Sequence, residues 1–245
     1  MFLYVTLPLF LSCILPSTHS CEIGFGGPRC EFSIRSIYKE HNPFRITPRR
    51  PLDLQGWGAT PKLYDFVCEE TNAETNVEVG TWKGVSSIHF ASWLLKRNKG
   101  VMICIDTWLG QMGREHYDMK DMALIQGYPT LFRTFLANIQ WMNVSNVIVP
   151  FPSTSLNAAS VLKDLGVTAN VIHVDAAHEY EEVKVDLQIW WPVVAPGGIM
   201  IGDDFSWPGV RKAVEEFAQA LNLQLENGRD IFGDAYAHKW FIRKG

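Results

Sequence analysis

The chain has 245 residues, enough for one sizeable domain with a full hydrophobic core and too few for two comfortable enzyme-sized domains. A hydrophobic content of 47%, with 20% charged residues and nine tryptophans, excludes an intrinsically disordered chain. The formal net charge of −4 leaves no basic stripe to neutralise a phosphate backbone, so no nucleic-acid partner is expected.

Residues 2–15, FLYVTLPLFLSCIL, form an uncharged apolar run of signal-peptide length that is short for a bilayer span. Small polar residues follow at 16–20, so residues 1–20 read as a signal peptide cleaved after Ser20. Against this, no Lys or Arg precedes the run and Pro8 interrupts it; a retained membrane-associated segment or a misassigned start are the other readings. Residues 21–30, CEIGFGGPRC, resemble the last loop of an epidermal-growth-factor-like module, and the resemblance is limited to that loop. It implies a Cys21–Cys30 pairing in an oxidising compartment, where the sequon Asn143-Val144-Ser145 offers a glycan acceptor. The expected location is the secretory pathway, or the cytoplasm if the first segment is not a signal. Cys68 and Cys104 lie in apolar patterns and are expected to be small core residues. The stretch 31–54 is polar, contains Pro and Arg and has no clean period, so residues 21–55 read as a leader, extended on the surface or loose.

The principal domain is expected over 56–245. Strand patterns at 76–79 (NVEV), 101–105 (VMICI), 146–151 (NVIVPF), 170–174 (NVIHV) and 199–202 (IMIG) alternate with helical patterns at 86–96, 155–165, 180–193 and 210–221. A terminal strand falls within KWFIRK. This alternation predicts an α/β fold with a parallel sheet and crossover helices. The connection 107–128, with Gly110, Gly113, Arg114, His116 and Asp118, is long and irregular; it is either a solvated insertion or a functional cover.

In such a sheet the strand C-termini share one edge, and ligands bind in the crevice outside it. Glu78, Gly80, Asp106, Asp175, Asp203 and Asp204 all fall at predicted strand ends. The stretch VEVGTWKGVSS, residues 77–87, leads from a strand through Gly-x-x-x-Gly into a helix, which offers exposed backbone N–H groups to a ligand. It lacks Gly-x-Gly-x-x-Gly and so suits a ligand without phosphates, with Gly80, Thr81, Trp82, Gly84 and Ser86 as contacts. Tight packing alone would also call for those glycines. Asp106, followed by Thr107, is placed to accept hydrogen bonds from ribose hydroxyls.

The second group is Asp175, His178, Asp203 and Asp204. Three carboxylates at one edge repel one another unless a cation neutralises them, and all-oxygen ligation suits Mg²⁺. Such an ion can orient a substrate hydroxyl and lower its pKa. The alternative is that Asp203 or Asp204 caps the segment that follows or faces water. Imidazole titrates near neutrality, which makes His178 either a general base or a surface histidine starting a helix. His173 is expected in the core or at an edge; Trp82 and Trp207 either pack or touch a ligand.

The stretches VEVGTWKGVSSIHFA, ICIDTWLG, GYPTLFRTFLANI, VIHVDAAHEYEEVKVDLQIWWPVVAPGGIMIGDDF and KWFIRK resemble class I S-adenosylmethionine-dependent methyltransferases. The group concerned contains the macrolide and aminocoumarin sugar O-methyltransferases and the cephalosporin-biosynthesis methyltransferase-like proteins. The resemblance covers about residues 56–244. It implies a Rossmann-like, mostly parallel seven-stranded sheet ending in an antiparallel hairpin. It further implies S-adenosylmethionine at the loop from Glu78 to Gly84, Asp106 on the ribose, and a divalent metal on Asp175, Asp203 and Asp204. The expected reaction is Mg²⁺-assisted methyl transfer to a small-molecule or sugar hydroxyl, with Asp175 and His178 catalytic and a homo-oligomer among the expectations. One departure stands out: some members carry a carboxylate two residues past the first metal ligand, where this chain has Ala177. Proton removal then falls to His178 or to a metal-bound hydroxide, or is lost. In the last case the chain is a catalytically silent binding protein of the same fold.

Overall fold

Seven strands build the central sheet of the computed structural model, which describes residues 21–27, 30, 32–46, 50–56, 60–110 and 123–245. The expected signal peptide and Gly113, Arg114, His116 and Asp118 lie outside the described residues. The strands are β1 (Thr75–Val79), β2 (Val101–Asp106), β3 (Ile148–Pro152), β4 (Ala169–Val174), β5 (Val194–Gly202), β6 (Leu225–Asn227) and β7 (Trp240–Arg243). The main helices are α1 (Pro61–Glu70), α2 (Val85–Arg97), α3 (Leu131–Trp141), α4 (Ser155–Asp164), α5 (Tyr180–Trp190) and α6 (Pro208–Ala220). The sheet order is β6-β7-β5-β4-β1-β2-β3; β1 to β5 pair in parallel, and β7 runs antiparallel to both β5 and β6.

The parallel strands are largely buried on both faces because helices cover both. Val77, Val79, Ile103 and Ile105 face a core built with Leu162 of α4, Leu187 and Trp190 of α5 and Val214 of α6. The alternate residues Met102 and Cys104, with Val171 and Ile201, face Leu63 and Val67 of α1, Phe90 and Leu94 of α2 and Phe135 of α3. Fully burying one such side chain contributes roughly 1.5–3 kcal/mol. Strand order reverses between β1 and β4, so the crossovers diverge there and a crevice opens beyond the two strand ends.

Sequence periodicity missed several elements, α1, α3 and β6 among them. Helix α1 starts on Pro61, which supplies a preset φ at a position whose N–H needs no partner. In α3, Leu131, Phe135 and Ile139 repeat at helical spacing and are all buried. Strand β6 has only three residues and exists through its pairing with β7. The connection 107–128 also contains a short hairpin, Leu124–Ile125 with Tyr128–Pro129.

The leader is less superficial than its composition suggests. Cys21 and Cys30 are disulfide-bonded, Glu22 and Ile23 bridge to Lys99 and Gly100, and Phe32 and Phe44 are buried in the two cores. Among the described residues no helix is long and apolar enough to cross a membrane.

Candidate active site

The crevice holds a cavity of about 630 Å³, lined by the turn from Gly80 to Ser86, by Asp106 and Thr107, and by Asp175, His178, Asp203 and Asp204. Gly56, Ser153, Ser155, Trp207 and His238 also line it.

One wall is the turn between β1 and α2. Gly80 has φ +90, and a Cβ there would stand 2.1 Å from the Asp175 carbonyl oxygen, so the ends of β1 and β4 approach only because residue 80 has no side chain. Gly84 has φ +89 and abuts the Phe135 ring, which lets α2 start directly on the turn. Between them Trp82 adopts a left-handed φ of +50. Its N–H donates to Asp106 Oδ2 at 2.8 Å, while the Trp108 N–H donates to Asp106 Oδ1 at 2.7 Å. Burial raises the Asp106 carboxyl pKa, and the N–H groups of Trp108, Trp82 and Thr81 oppose that rise. Asp106 therefore braces the turn as well as lining the cavity. The Thr81 hydroxyl donates to the Ile105 carbonyl, and the Thr107 hydroxyl accepts the Leu109 N–H.

Glu78 departs from the expected arrangement. Strand alternation sends Val79 to the cavity and Glu78 to the opposite face, where it is wholly buried. There it accepts hydrogen bonds from the Ser86 and Ser87 hydroxyls and lies 2.8 Å from His173 Nδ1. Glu78 thus pins the first turn of α2 from behind. Ser86 lines the cavity, but its hydroxyl is directed to Glu78.

The opposite wall carries the acids, and they divide unequally. Asp175, His178 and Asp204 place one potential ligand atom each within 4.8 Å of one another, and His178 Nε2 is 2.5 Å from Asp204 Oδ2. Asp203 stands apart from this group. Its Oδ2 is paired with the buried Lys239 ammonium, and its Oδ1 accepts the Asp204 N–H at 2.9 Å. Of the expected triad, Asp175 and Asp204 cluster with His178, while Asp203 lines the same cavity with one carboxylate oxygen held by Lys239. Burial pushes the Asp175 carboxyl well above the ordinary carboxylate range; Asp203 adds to the rise and Lys239 opposes it. The two carboxylates offer oxygen donors, and the imidazole beside them is available either for ligation or for proton transfer.

Lys239 went unrecognised in the sequence because nothing near it marks it. The register that sets Trp240 opposite Gly202 carries Lys239 to Asp203, and Gly202 lacks a side chain where the Trp240 ring passes. Next to Lys239 in the chain, His238 places its Nε2 3.7 Å from Asp203 Oδ1. His173 is buried in the core as expected, and the His178 ring lies 5.3 Å from that of Trp207.

Residues 77–205, more than half of the chain, match the methyltransferase domain family. The fold is similar to an O-methyltransferase from Bacillus cereus in complex with SAH, at 15% identity over 79% of this chain and 84% of that one, with a TM-score of 0.56. It is similar also to the O-methyltransferase TomG from Streptomyces achromogenes in complex with SAM, at 14% identity, 86% and 89% coverage and a TM-score of 0.55. The calicheamicin methyltransferase CalS11 gives 18% identity, 76% and 78% coverage and a TM-score of 0.55. No curated sequence matches the chain significantly.

Proposed function

The chain belongs to the methyltransferase domain family of S-adenosylmethionine-dependent enzymes, and on that premise we propose metal-assisted methyl transfer to the hydroxyl of a small-molecule acceptor, a sugar among the candidates. The observation that carries this reading is one cavity with a glycine-built turn and Asp106 on one wall and Asp175, His178 and Asp204 on the other.

S-adenosylmethionine, when bound, supplies the methyl group. The turn and Asp106 would hold it through backbone N–H groups and a buried carboxyl, fixing its distance from the acidic wall. Of the three clustered residues, the two carboxylates suit a hard divalent cation such as Mg²⁺, and the imidazole suits proton transfer. Asp175 and Asp204 would hold the ion, which when bound polarises the acceptor oxygen. His178 accepts the hydroxyl proton, and the Asp204 carboxylate at its Nε2 stabilises the imidazolium that results. Ala177 offers no carboxylate for that role.

The test is a transfer assay with labelled S-adenosylmethionine against a panel of hydroxylated metabolites, with and without excess chelator. Label transfer that is lost with chelator and restored by Mg²⁺ or Mn²⁺ supports the reading. Full activity in chelator removes the metal from it. SAH binding without transfer to any acceptor leaves the silent binding protein instead.

A secretory location is part of the same proposal. It is supported by the Cys21–Cys30 disulfide and by the exposed Asn143 of the sequon, in the turn after α3. Sequencing the mature N-terminus checks it, with Cys21 expected first.

A further inference from the structure

The turn that would hold the cofactor is braced from outside the parallel sheet. Trp82 sits at φ +50, a conformation strained for a bulky L-residue that persists only when its surroundings impose it. Two constraints come from the strand-β2 side: its N–H donates to Asp106 Oδ2, and its carbonyl accepts the Trp108 indole N–H at 2.9 Å. Two more come from the leader. The Trp82 indole N–H donates to Gln55 Oε1 at 3.1 Å, and the ammonium of the next residue, Lys83, lies 3.0 Å from Asp53 Oδ2. Lys83 is almost wholly buried, so the geometry of this pair is tightly defined.

Asn138 of α3 ties leader and turn to the same point. Its Nδ2 donates to the carbonyls of both Asp53, at 2.6 Å, and Lys83, at 2.9 Å, while its Oδ1 accepts the Asp53 N–H at 2.9 Å. Farther back, the Trp141 indole donates to the Arg50 carbonyl, and the Arg50 guanidinium donates to the Thr134 hydroxyl at 3.1 Å. The leader thus crosses α3 and ends at Gly56, which lines the cavity.

We propose that residues 50–56 form part of the cofactor site, with Asp53 and Gln55 as positioning residues that hold the Trp82–Lys83 turn in its binding geometry. The proposal rests on the reading that this turn takes S-adenosylmethionine. Binding to a preformed turn costs less than binding to one that must first be ordered, so leader docking and cofactor affinity are coupled. Coupling is reciprocal: the factor by which the docked leader raises affinity is the factor by which the cofactor stabilises the docked leader.

The experiment titrates SAH by calorimetry into the wild type, Asp53→Asn and Gln55→Ala, and follows backbone hydrogen exchange over 50–56 with and without SAH. SAH affinity is expected to fall about 10-fold in Asp53→Asn and about 3-fold in Gln55→Ala, with SAH slowing wild-type exchange over 50–56 by a comparable factor. A purely structural role would lower the thermal midpoint without this reciprocity. Should Asp53→Asn prove unstable, Gln55→Ala, at an exposed side chain, decides the matter. Normal wild-type binding with unchanged affinity in Gln55→Ala, or exchange indifferent to SAH, overturns this inference alone. A wild-type chain that does not bind SAH overturns the cofactor reading and this inference with it.

Discussion

On the cofactor side of the cavity, position is set by backbone: Gly80 and Gly84 at positive φ, Trp82 held left-handed, and N–H groups gathered on Asp106. On the acidic side it is set by charge: Asp203 against Lys239, His178 against Asp204, and Asp175 buried beside both. The first wall is assembled largely from neighbours in sequence, with the leader bracing it. The second depends on a lysine in the C-terminal part of the chain, brought there by an antiparallel strand. A wall made of backbone geometry fails sterically, and a wall made of charge fails when one partner is removed.

Substitutions can break the walls one at a time. Asp204→Asn removes a clustered carboxylate and the partner of His178; turnover is expected to fall about 1000-fold while SAH affinity stays within about 3-fold, read by single-turnover kinetics and calorimetry. Equal losses in both would mean that the two walls are not separable. Lys239→Met leaves Asp203 buried without its cation and is expected to cost about 3–5 kcal/mol in urea unfolding. The double variant Lys239→Met with Asp203→Leu should recover much of that cost, since an uncharged pair has no buried charge to neutralise. Gly80→Ala strikes the backbone wall where it meets the acidic one, because its Cβ would enter the Asp175 carbonyl; SAH affinity is expected to fall about 100-fold.

The smallest effect concerns the floor of the cavity. Asp186 of α5 accepts a hydrogen bond from the Ser155 hydroxyl, and Ser155 lines the cavity. Burial pushes its carboxyl up to about 6, and the Ser155 hydrogen bond opposes that rise. The folded state therefore holds this proton more tightly than the unfolded state does. The resulting stabilisation is complete below the unfolded pKa near 4 and is lost as pH rises through 6. Asp186→Asn, which carries no charge at any pH, is expected to be more stable than the wild type by about 2 kcal/mol at pH 8 and to lose that advantage near pH 4. Urea midpoints at the two pH values measure it.

How much was legible follows from how local each feature is. The strands of the parallel sheet, the helices α2, α4, α5 and α6 and the acids at strand ends were readable, because apolar alternation and turn glycines act within a few residues. The α3 pattern was equally present in Leu131, Phe135 and Ile139 but was hidden beside an irregular connection. Glu78 was expected at the cofactor because it sits two residues before Gly80, yet strand parity turns it inward to Ser86, Ser87 and His173. Asp203 was expected on a metal because it sits beside Asp204. Both acids line the cavity, but Asp203 is paired with Lys239 and Asp204 with His178, and those partners come from different segments.

The sequence by itself determined the parallel α/β sheet, the edge at which chemistry gathers and the glycine turn between β1 and α2, since each is encoded by period, strand-end composition or the φ a residue permits. Only the tertiary structure decided that Lys239 pairs with Asp203, that His178 clusters with Asp175 and Asp204, and that Asp53 and Gln55 reach the turn. These are contacts between segments far apart in the chain, and their partners follow from strand order and register rather than from any local pattern.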